Sequence, residues 1–397
     1  VIVACKVAEI VIMVLAVLAV LSGNVVMLLA VVFIMGSQSA LFSPSRLGCI
    51  PELVRKDKIS SANGLIGMVT IVASAMGLTA GMVLQDSSGT DIQQAATLTQ
   101  MLVPAVAMIG TAVLGTLSSL LIVHLPPADP TRRIPRNPFA ETVEALRTLA
   151  RHRPLLRAAF GGGCFWFLAS MANMNIEVYG ANELQLESGF DKAMLGVSLV
   201  AGIGLGSVLA GIWSAGKVEL GIVPLGAIII TIGALCLYVA APDLPVSSDP
   251  ATAAADLTAV LSASFYSACI WMFVLGVGGG LFIVPLVSFL QDRSDIRIRG
   301  TILAATNFIE FSLMMLAAAA FYVMTSDGLL EYGGRHVFLV TGLGTIPVLL
   351  YVLWLLPQAS SRFLLWLTSK TVYRLKVHGA ENIPEQGGAL LVANHVT

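Results

Sequence analysis

The sequence predicts an all-α membrane protein, and three observations support this prediction. Of the 397 residues, 57% are hydrophobic and only 11% are charged, whereas soluble domains carry about 25% charged residues. Apolar runs of roughly 20 residues, the helix length that crosses a bilayer, recur along the chain. Lysine and arginine collect in alternate connections between these runs, as they do in short cytoplasmic loops.

The apolar runs predict ten membrane-spanning helices. We place them near residues 3–22, 25–45, 60–85, 101–124, 157–181, 193–215, 220–241, 258–290, 301–326 and 336–357. With this assignment 20 of the 22 lysines and arginines fall on one side of the membrane, and only Lys192 and Arg335 fall on the other. Because one missed or invented helix would scramble this division, the charges support the helix count and place the central loop and the C-terminus in the cytoplasm.

Composition argues against several other classes of function. A net charge of -1 gives no basic excess of the kind that nucleic-acid binding needs, so we expect no nucleic acid as a partner. The five cysteines lie singly in or beside apolar runs, and the five histidines are scattered. Neither set has metal-ligand spacing, and we therefore expect no metal site and no cofactor.

Two stretches of the chain share a layout. They are LFSPSRLGCIPELVRKDKISSANGLIGM, from Leu41, and LFIVPLVSFLQDRSDIRIRGTILAATNFIEF, from Leu281. Each has Leu-Phe at the end of a span, a proline, an acidic-basic loop, and then a span that begins with an asparagine-containing turn of helix, with Asn63 or Asn307. Internal repeats built from helix bundles are typical of transporters. If the two halves are equivalent, two further helices precede the first residue.

Two six-helix halves joined by a basic cytoplasmic loop resemble the major facilitator superfamily. Within it, PSRLGCIPELV, SANGLIGMVTIVAS and GKVELGIVPLGA resemble the bacterial lysophospholipid transporter branch. The resemblance implies the major facilitator fold with ten of its twelve helices present. It also implies inward movement of lysophospholipid, chiefly lysophosphatidylethanolamine, across the bacterial inner membrane for re-acylation. We expect residues 1–124 to form the N-terminal half, 125–156 the central loop, and 157–357 the C-terminal half.

Glu310 is the leading candidate for a functional residue inside a span. It lies about 15 Å along the helix from Gly300, close to the bilayer midplane. An ionisable residue there costs about 2.5–3.5 kcal/mol on insertion scales, so it usually faces a cavity or a partner. Asn307 lies one turn earlier on the same face. We expect a site that contacts a headgroup or gates the helices; the alternative is a protonated or hydrogen-bonded glutamic acid that holds two helices together.

A stripe of side chains on the span after Arg157 is the second candidate. Its members are spaced 4, 3 and 4 residues apart and therefore share one helix face: Trp166, Ser170, Asn173 and Glu177. They are expected to line a path for a polar headgroup, with the outer membrane interface as the alternative place for Glu177. Gln38 and Asn63 are further candidates for the substrate path. Small polar residues also serve in helix packing, which is the alternative for these positions.

Charged residues at equivalent cytoplasmic ends of the two repeats predict a gate. They are Arg46 and Glu52 in the first copy, and Asp292 and Arg293 in the second. Ion pairs among them would close the inner side of the protein in one state and break in the other, which would couple two rigid halves. Ordinary interfacial charge is the alternative.

The C-terminal segment changes in character. Residues 358–376 are amphipathic and basic, as expected for a linker on the membrane surface. VHGAENIPEQGGALLVANH, which follows, resembles the opening of the 1-acylglycerol-phosphate acyltransferase family, so 377–397 would begin an α/β domain. His395 matches the histidine of that family's His-x-x-x-x-Asp motif, but the aspartate would fall beyond Thr397. We expect a fragment without acyltransferase activity, whose partner is a fused or associated acyltransferase or acyl-ACP synthetase.

Two other functions remain open from the sequence. A proton-coupled drug or metabolite exporter of the same fold would use Glu310 as its proton carrier, and fold alone does not exclude it. A membrane acyltransferase whose helices only anchor it is the third possibility. Buried carboxylates speak against a pure anchor, because an anchor has no use for costly polar groups inside the bilayer.

Overall fold

A computed structural model describes most of the chain. The described residues are 1–88, 98–123, 125, 137–186, 188–214, 218–241, 250–326, 328–355 and 357–371. The predicted acyltransferase start at 377–397, including His395, lies outside them, as does the end of the predicted linker at 358–376.

Helices account for nearly all of the described residues. The α-helices are α1 (Ile2–Ser22), α2 (Val25–Leu53), α3 (Ile59–Ser88), α4 (Leu98–Leu120), α5 (Pro138–Arg151), α6 (Arg153–Val178), α7 (Gly189–Trp213), α8 (Ile222–Ala240), α9 (Pro250–Arg293), α10 (Arg299–Thr325), α11 (Gly334–Leu355) and α12 (Pro357–Thr371). A 3₁₀ turn, Lys56–Lys58, precedes α3, and a π-helical turn, Tyr179–Glu183, follows α6.

The all-α membrane fold is confirmed. Each of the ten predicted spans coincides with a helix, and nine helices among the described residues are long and apolar enough to cross a membrane. The tenth predicted span, 60–85, coincides with α3, which has 30 residues but several side chains outside the described set. Two helices are not spans: α5 lies within the expected central loop, and α12 lies within the expected linker.

The best-packed core lies in the helices from α6 to α11, which we call the C-terminal half, and we call α1 to α4 the N-terminal half. Helix α9 runs between α7 and α8, and α6 packs against α10. Backbones approach closely where α7 crosses α9, because a Cβ on Gly202 would overlap the Phe273 carbonyl and one on Gly276 would overlap the Leu199 carbonyl. Small residues allow this kind of approach between helices inside a membrane. In the N-terminal part, α1 packs against α2 and α4.

The two parts of the bundle meet mainly through α3. It packs along α7 and also touches α9, while α2 contacts α10. These contacts involve the C-terminal ends of α2, α7 and α9 and the N-terminal ends of α3 and α10. We call this end of the bundle the basic end, because it also carries Arg55, Arg293 and Arg299. Helix α5 lies there as well, against α10 and α6.

Candidate functional site

Asn63 forms a hydrogen-bond cluster across the two halves at the basic end. Its side chain is only 6% exposed. Its amide nitrogen donates to Gln291 Oε1 at 2.7 Å and to Ser288 Oγ at 3.1 Å, and Gln291 Nε2 donates back to Asn63 Oδ1 at 3.2 Å. Asn63 was predicted to belong to the substrate path, but the structure places it in the contact between α3 and α9. In this arrangement its amide holds the two halves together.

Asn307 makes the corresponding contact from the other half. Its Nδ2 donates to Ser43 Oγ at 3.1 Å, which joins α10 to α2. The sequence repeat pairs α2 with α9 and α3 with α10, so the two asparagines bridge the halves in a symmetry-related way. Asn307 also lies on the wall of a groove of about 450 Å³ between α2, α5 and α10. The repeat therefore relates the two helix pairs to each other, although it does not give the partner residues.

Small residues bring α3 and α7 together beside the Asn63 cluster. A Cβ on Gly64 would lie 2.5 Å from the Ser207 carbonyl oxygen, and one on Gly211 would lie 3.1 Å from the Ser61 Cα. Ser61 Oγ donates to the Gly211 carbonyl at 3.3 Å. The basic end is thus closed by close backbone packing as well as by polar contacts.

The predicted gate charges do not pair with one another across the halves. Glu52 instead lies 3.6 Å from Arg299 Nη1, so that an ion pair joins α2 to α10. This distance is too long for a hydrogen bond, and the Arg299 side chain is 12% exposed. Asp292 contacts its neighbour Arg293 at 3.8 Å, on the same helix.

Arg46 points toward an aromatic ring. Its guanidinium carbon lies 6.0 Å from the centroid of the Phe42 ring, and Lys6 Nζ lies 5.1 Å from the same centroid. Arg46 Nε is buried without a hydrogen-bond partner. Cation–π contacts of this kind hold a partly buried cation. The structure therefore places Arg46 within the packing of α1 against α2, at the basic end but not in an ion pair among the described residues.

Three members of the predicted stripe on α6 lie on the wall of one cavity. Trp166, Ser170 and Asn173 line a space of about 310 Å³ in the C-terminal half, which we call the Trp166 cavity. The rest of its wall is mostly apolar and comes from α6 to α11, with Leu199, Ile230, Leu275 and Met314 among the contributors. Trp166 and Asn173 are exposed on its rim. The cavity thus combines a large apolar interior with a few polar groups, as ligand pockets usually do.

Glu177, the fourth member of the stripe, lies outside this cavity. Its side chain is 71% exposed and its Oε1 lies 2.9 Å from Lys192 Nζ, which joins α6 to α7. Gln38 is also occupied elsewhere, since its Nε2 donates to the Cys5 carbonyl at 3.0 Å and links α2 to α1. The structure therefore does not bring Glu177 or Gln38 to the side chains that line the cavity.

Glu310 faces α6. A Cβ added to Gly162 would lie 2.9 Å from Glu310 Oε1, and the side chain is partly buried. Because Gly162 has no side chain, the carboxyl group has space between α6 and α10. Within the described part of the chain, no hydrogen bond or ion pair to this carboxyl group is found. Glu310 therefore takes no part in the Asn63 cluster and does not line the Trp166 cavity.

Sequence reasoning missed three partners at the basic end. They are Ser288 and Gln291, which bond Asn63, and Arg299, which pairs with Glu52. A signal for two of them was present, because Ser288 and Gln291 are polar residues three apart in a helix that is otherwise apolar and so share a face. Arg299 carried no such signal, since it is one of several arginines in the same loop.

Comparisons with known proteins agree with this architecture. A family model described as Major Facilitator Superfamily matches residues 7–318. The protein named lysophospholipid transporter LplT of Klebsiella pneumoniae is 26% identical over 301 residues, which cover 74% of this chain and 66% of that protein. Its namesake in Enterobacter sp. is 26% identical over 322 residues, covering 78% of this chain and 71% of the relative.

A third relative gives a similar result. LplT of Serratia proteamaculans is 24% identical over 286 residues, which cover 71% of this chain and 63% of the relative. The chain thus spans about two thirds of the length of the curated relatives that it matches. Since the family model covers well over half of the sequence and the structure is a bundle of spanning helices, the chain belongs to the major facilitator superfamily.

Proposed function

We propose that this protein moves lysophospholipid, with lysophosphatidylethanolamine as its chief cargo, across the bacterial inner membrane for re-acylation. Membership of the major facilitator superfamily and the similarity to proteins named lysophospholipid transporters support this proposal. The observation that carries it is the mixed wall of the Trp166 cavity. A lysophospholipid has one acyl chain and a polar headgroup, so its site must combine apolar and polar surfaces.

The cavity supplies both kinds of surface. Leu199, Ile230 and Leu275 give an apolar interior, while Ser170 and Asn173 give a hydroxyl and an amide. The amide offers both hydrogen-bond donors and an acceptor, and these suit a phosphate with an amine. Trp166 adds an indole N–H beside a large apolar ring, a combination common where one end of a ligand is apolar and the other polar. Met314 contributes a flexible wall from α10.

The closed basic end supports an alternating-access mechanism. Contacts from Asn63, Asn307 and Glu52 join the halves there. We propose that cargo enters from the opposite end in this state and leaves at the basic end after these contacts break. The Lys and Arg bias of the loops supports a cytoplasmic position for the basic end. Re-acylation would then follow at the inner leaflet, where a fused or associated acyltransferase or acyl-ACP synthetase meets cargo at high effective concentration.

Uptake of labelled lipid by cells tests the proposal. The gene that encodes this chain is expressed in cells that lack endogenous lysophospholipid uptake. Spheroplasts prepared from these cells then receive labelled lysophosphatidylethanolamine. We expect label to become protected inside the cell and to be converted to diacyl lipid. Asn173→Leu should lower the initial uptake rate at least fivefold, because it removes the amide and narrows the cavity.

Two controls sharpen this experiment. Asn182→Leu makes the same chemical change at an exposed position outside the cavity and should leave uptake unchanged. In a longer gene that completes the acyltransferase motif, expressed in cells without another such acyltransferase, His395→Ala should block the conversion to diacyl lipid but not uptake. Absence of protected label with the unmodified protein, or an equal loss with both asparagine variants, would contradict the proposed cargo site.

A proton-coupled exporter of drugs or metabolites is a second candidate. It is favoured by the position of Glu310, whose carboxyl group lies inside a span without a partner among the described residues. Intramembrane carboxyl groups of this kind serve in proton relays. An imposed pH gradient in inverted vesicles would then drive movement of soluble compounds, and Glu310→Gln would abolish it. Uptake of lysophosphatidylethanolamine that persists in Glu310→Gln would instead favour the lipid transporter.

A further inference from the structure

A second apolar cavity lies within the C-terminal half, at the basic end. It has a volume of about 330 Å³ and lies between α6, α8, α9 and α11. Its wall is formed by Phe282, Leu286 and Phe289 of α9, with Val223, Pro347 and Val348 opposite. It shares no lining residue with the Trp166 cavity. The two spaces therefore belong to different parts of the same half.

Aromatic side chains mark the membrane level at the mouth of this cavity. Tyr351 lines it and is 40% exposed, and the neighbouring Trp354 is 76% exposed with its ring centroid 6.4 Å from that of Tyr351. Exposed Trp and Tyr at helix ends typically lie at the level of the lipid headgroups. From this level the wall extends along α6 from Arg157 to Cys164, a rise of about 10 Å. The cavity thus reaches from the interface into the hydrocarbon region.

Arg157 provides a cation at the same mouth. It lines the cavity, is exposed, and has no ion-pair partner within the described ranges. A cationic residue at the headgroup level above an apolar cleft is complementary to an anionic phosphate with an acyl chain beneath it. The exposed ring of Phe160 lies on the same rim and widens the apolar surface toward the bilayer.

We propose that this cavity binds one acyl chain of a diacyl phospholipid from the leaflet at the basic end, with its phosphate on Arg157. The second chain stays in the bilayer beside Phe160. A cargo lipid must cross to the other leaflet, whereas this lipid stays in the leaflet at the basic end. We call this place the Arg157 lipid site. The bound acyl chain fills the space between α8 and α11 on one side and α6 and α9 on the other. It thereby supports the packing of the half that carries the Trp166 cavity.

Photolabelling of the purified protein tests the site. The full chain in detergent is mixed with phosphatidylglycerol that carries a photoreactive group midway along one acyl chain, then irradiated and mapped by mass spectrometry. We expect label on peptides of α6, α9 and α11 that line the cavity. Arg157→Gln should weaken labelling about fivefold at a subsaturating lipid concentration, because one cation near a lipid surface contributes about that factor.

Matched variants separate the site from general effects. Arg153→Gln removes an exposed arginine one turn away that does not line the cavity, and it should leave labelling unchanged. Arg157→Lys should retain most of the labelling. Val348→Phe fills the cavity and should abolish it, while Leu343→Phe, on an exposed part of α11, should not.

Two outcomes would overturn the inference. One is label that avoids the cavity wall, or that falls equally with Arg153→Gln and Arg157→Gln, since either result means a non-specific attraction to charge. The other is complete displacement by stoichiometric lysophosphatidylethanolamine, which would make the cavity part of the cargo path. The readout is lipid binding and not uptake, so failure of the proposed transport activity would leave this test intact.

Discussion

At the scale of single residues, buried amides at the basic end carry the contact between the halves. Asn63 and Gln291 exchange two hydrogen bonds, and Gln291 is fully buried. Interhelical hydrogen bonds inside membranes contribute about 0.6 to 2 kcal/mol each. That is large enough to bias two states that differ by a few kcal/mol.

Asn63→Ala is therefore expected to favour opening of the basic end. The change removes the bonds to Ser288 and Gln291 and leaves the Gln291 amide buried without its partner. Spin labels at the exposed positions 55 and 293 would report the opening of the basic end as a shift of the distance between the two labels toward longer values. Ser312→Ala removes a hydroxyl that bonds only its own helix, at the Phe308 carbonyl, and should leave the distances unchanged. Equal distributions for Asn63→Ala and the unmodified protein would exclude a gating role for Asn63.

Glycines at helix crossings make a second residue-scale prediction. Gly206→Ala should destabilise the protein by about 1–3 kcal/mol, because the new methyl group overlaps the Val277 carbonyl on α9. Gly77→Ala should be neutral or slightly stabilising, since no atom lies within 4 Å of its Cβ position and alanine favours helix over glycine. Thermal unfolding of the purified variants distinguishes the two. A lower melting temperature for Gly77→Ala than for Gly206→Ala would contradict the assigned packing.

At the scale of elements, α5 ties the central segment to the bundle. Its Asn137 cap accepts from the Phe139 and Ala140 amides, and Pro138 stands in the first turn, where a proline is well tolerated. Leu149 is fully buried with Ala145, Ile302 and Leu303. The segment between the halves therefore packs on α10, a helix that moves when the basic end opens in the proposed mechanism.

Leu149→Ala is expected to lower stability by about 2–5 kcal/mol, the usual cost of emptying a leucine site in a core. It should also expose the central segment to proteolysis, which can be followed by the time course of cleavage. Phe139→Ala on the same helix serves as the control, because Phe139 is 83% exposed and its loss should change stability by at most about 0.5 kcal/mol. Similar cleavage rates in both variants would show that α5 does not depend on this packing.

The ion pair between α2 and α10 gives a further prediction at this scale. Glu52→Arg and Arg299→Glu should each weaken closure of the basic end, since each places like charges together in a half-buried position. The double exchange should restore closure, and the distance between labels at 55 and 293 would report it. Failure of the double exchange to recover the closed distances would mean that the pair does not contribute to the gate.

At the scale of the whole molecule, the repeat relates two sets of contacts across one interface. Asn63 bonds α9 and Asn307 bonds α2, so the halves are held at symmetry-related places. Rigid halves joined in this way can rock between two arrangements when the bonds break. The proposed transport cycle depends on this movement.

A reversible cross-link between the halves should therefore stop transport. The double variant Ser43→Cys, Asn307→Cys replaces two side chains whose polar atoms, Ser43 Oγ and Asn307 Nδ2, lie 3.1 Å apart. Oxidation should block lysophosphatidylethanolamine uptake, and a reductant should restore it. Each single variant, treated with the same oxidant, is the control for the five native cysteines. Undiminished uptake with the cross-link fully formed would mean that the halves need not separate at this place.

The sequence by itself determined the all-α membrane class, the positions of the spans and the repeat that relates the halves. These follow from apolar run lengths and from the sorting of Lys and Arg, which are properties of consecutive residues. It also placed Trp166, Ser170 and Asn173 on one helix face, because helical periodicity fixes that relation locally. It did not determine that Glu177 pairs with Lys192, that Glu52 meets Arg299, or that Asn63 meets Gln291.

Only the tertiary structure decided those partners and the shapes of the two cavities. Asn63 and Gln291 are 228 residues apart in the chain, and no local rule gives their distance. Their meeting depends on how closely α3 approaches α7 and α9, and glycines such as Gly64 and Gly211 set that approach through the absence of a side chain. Packing between helices distant in sequence therefore decides which polar groups are satisfied by a partner and which face a cavity.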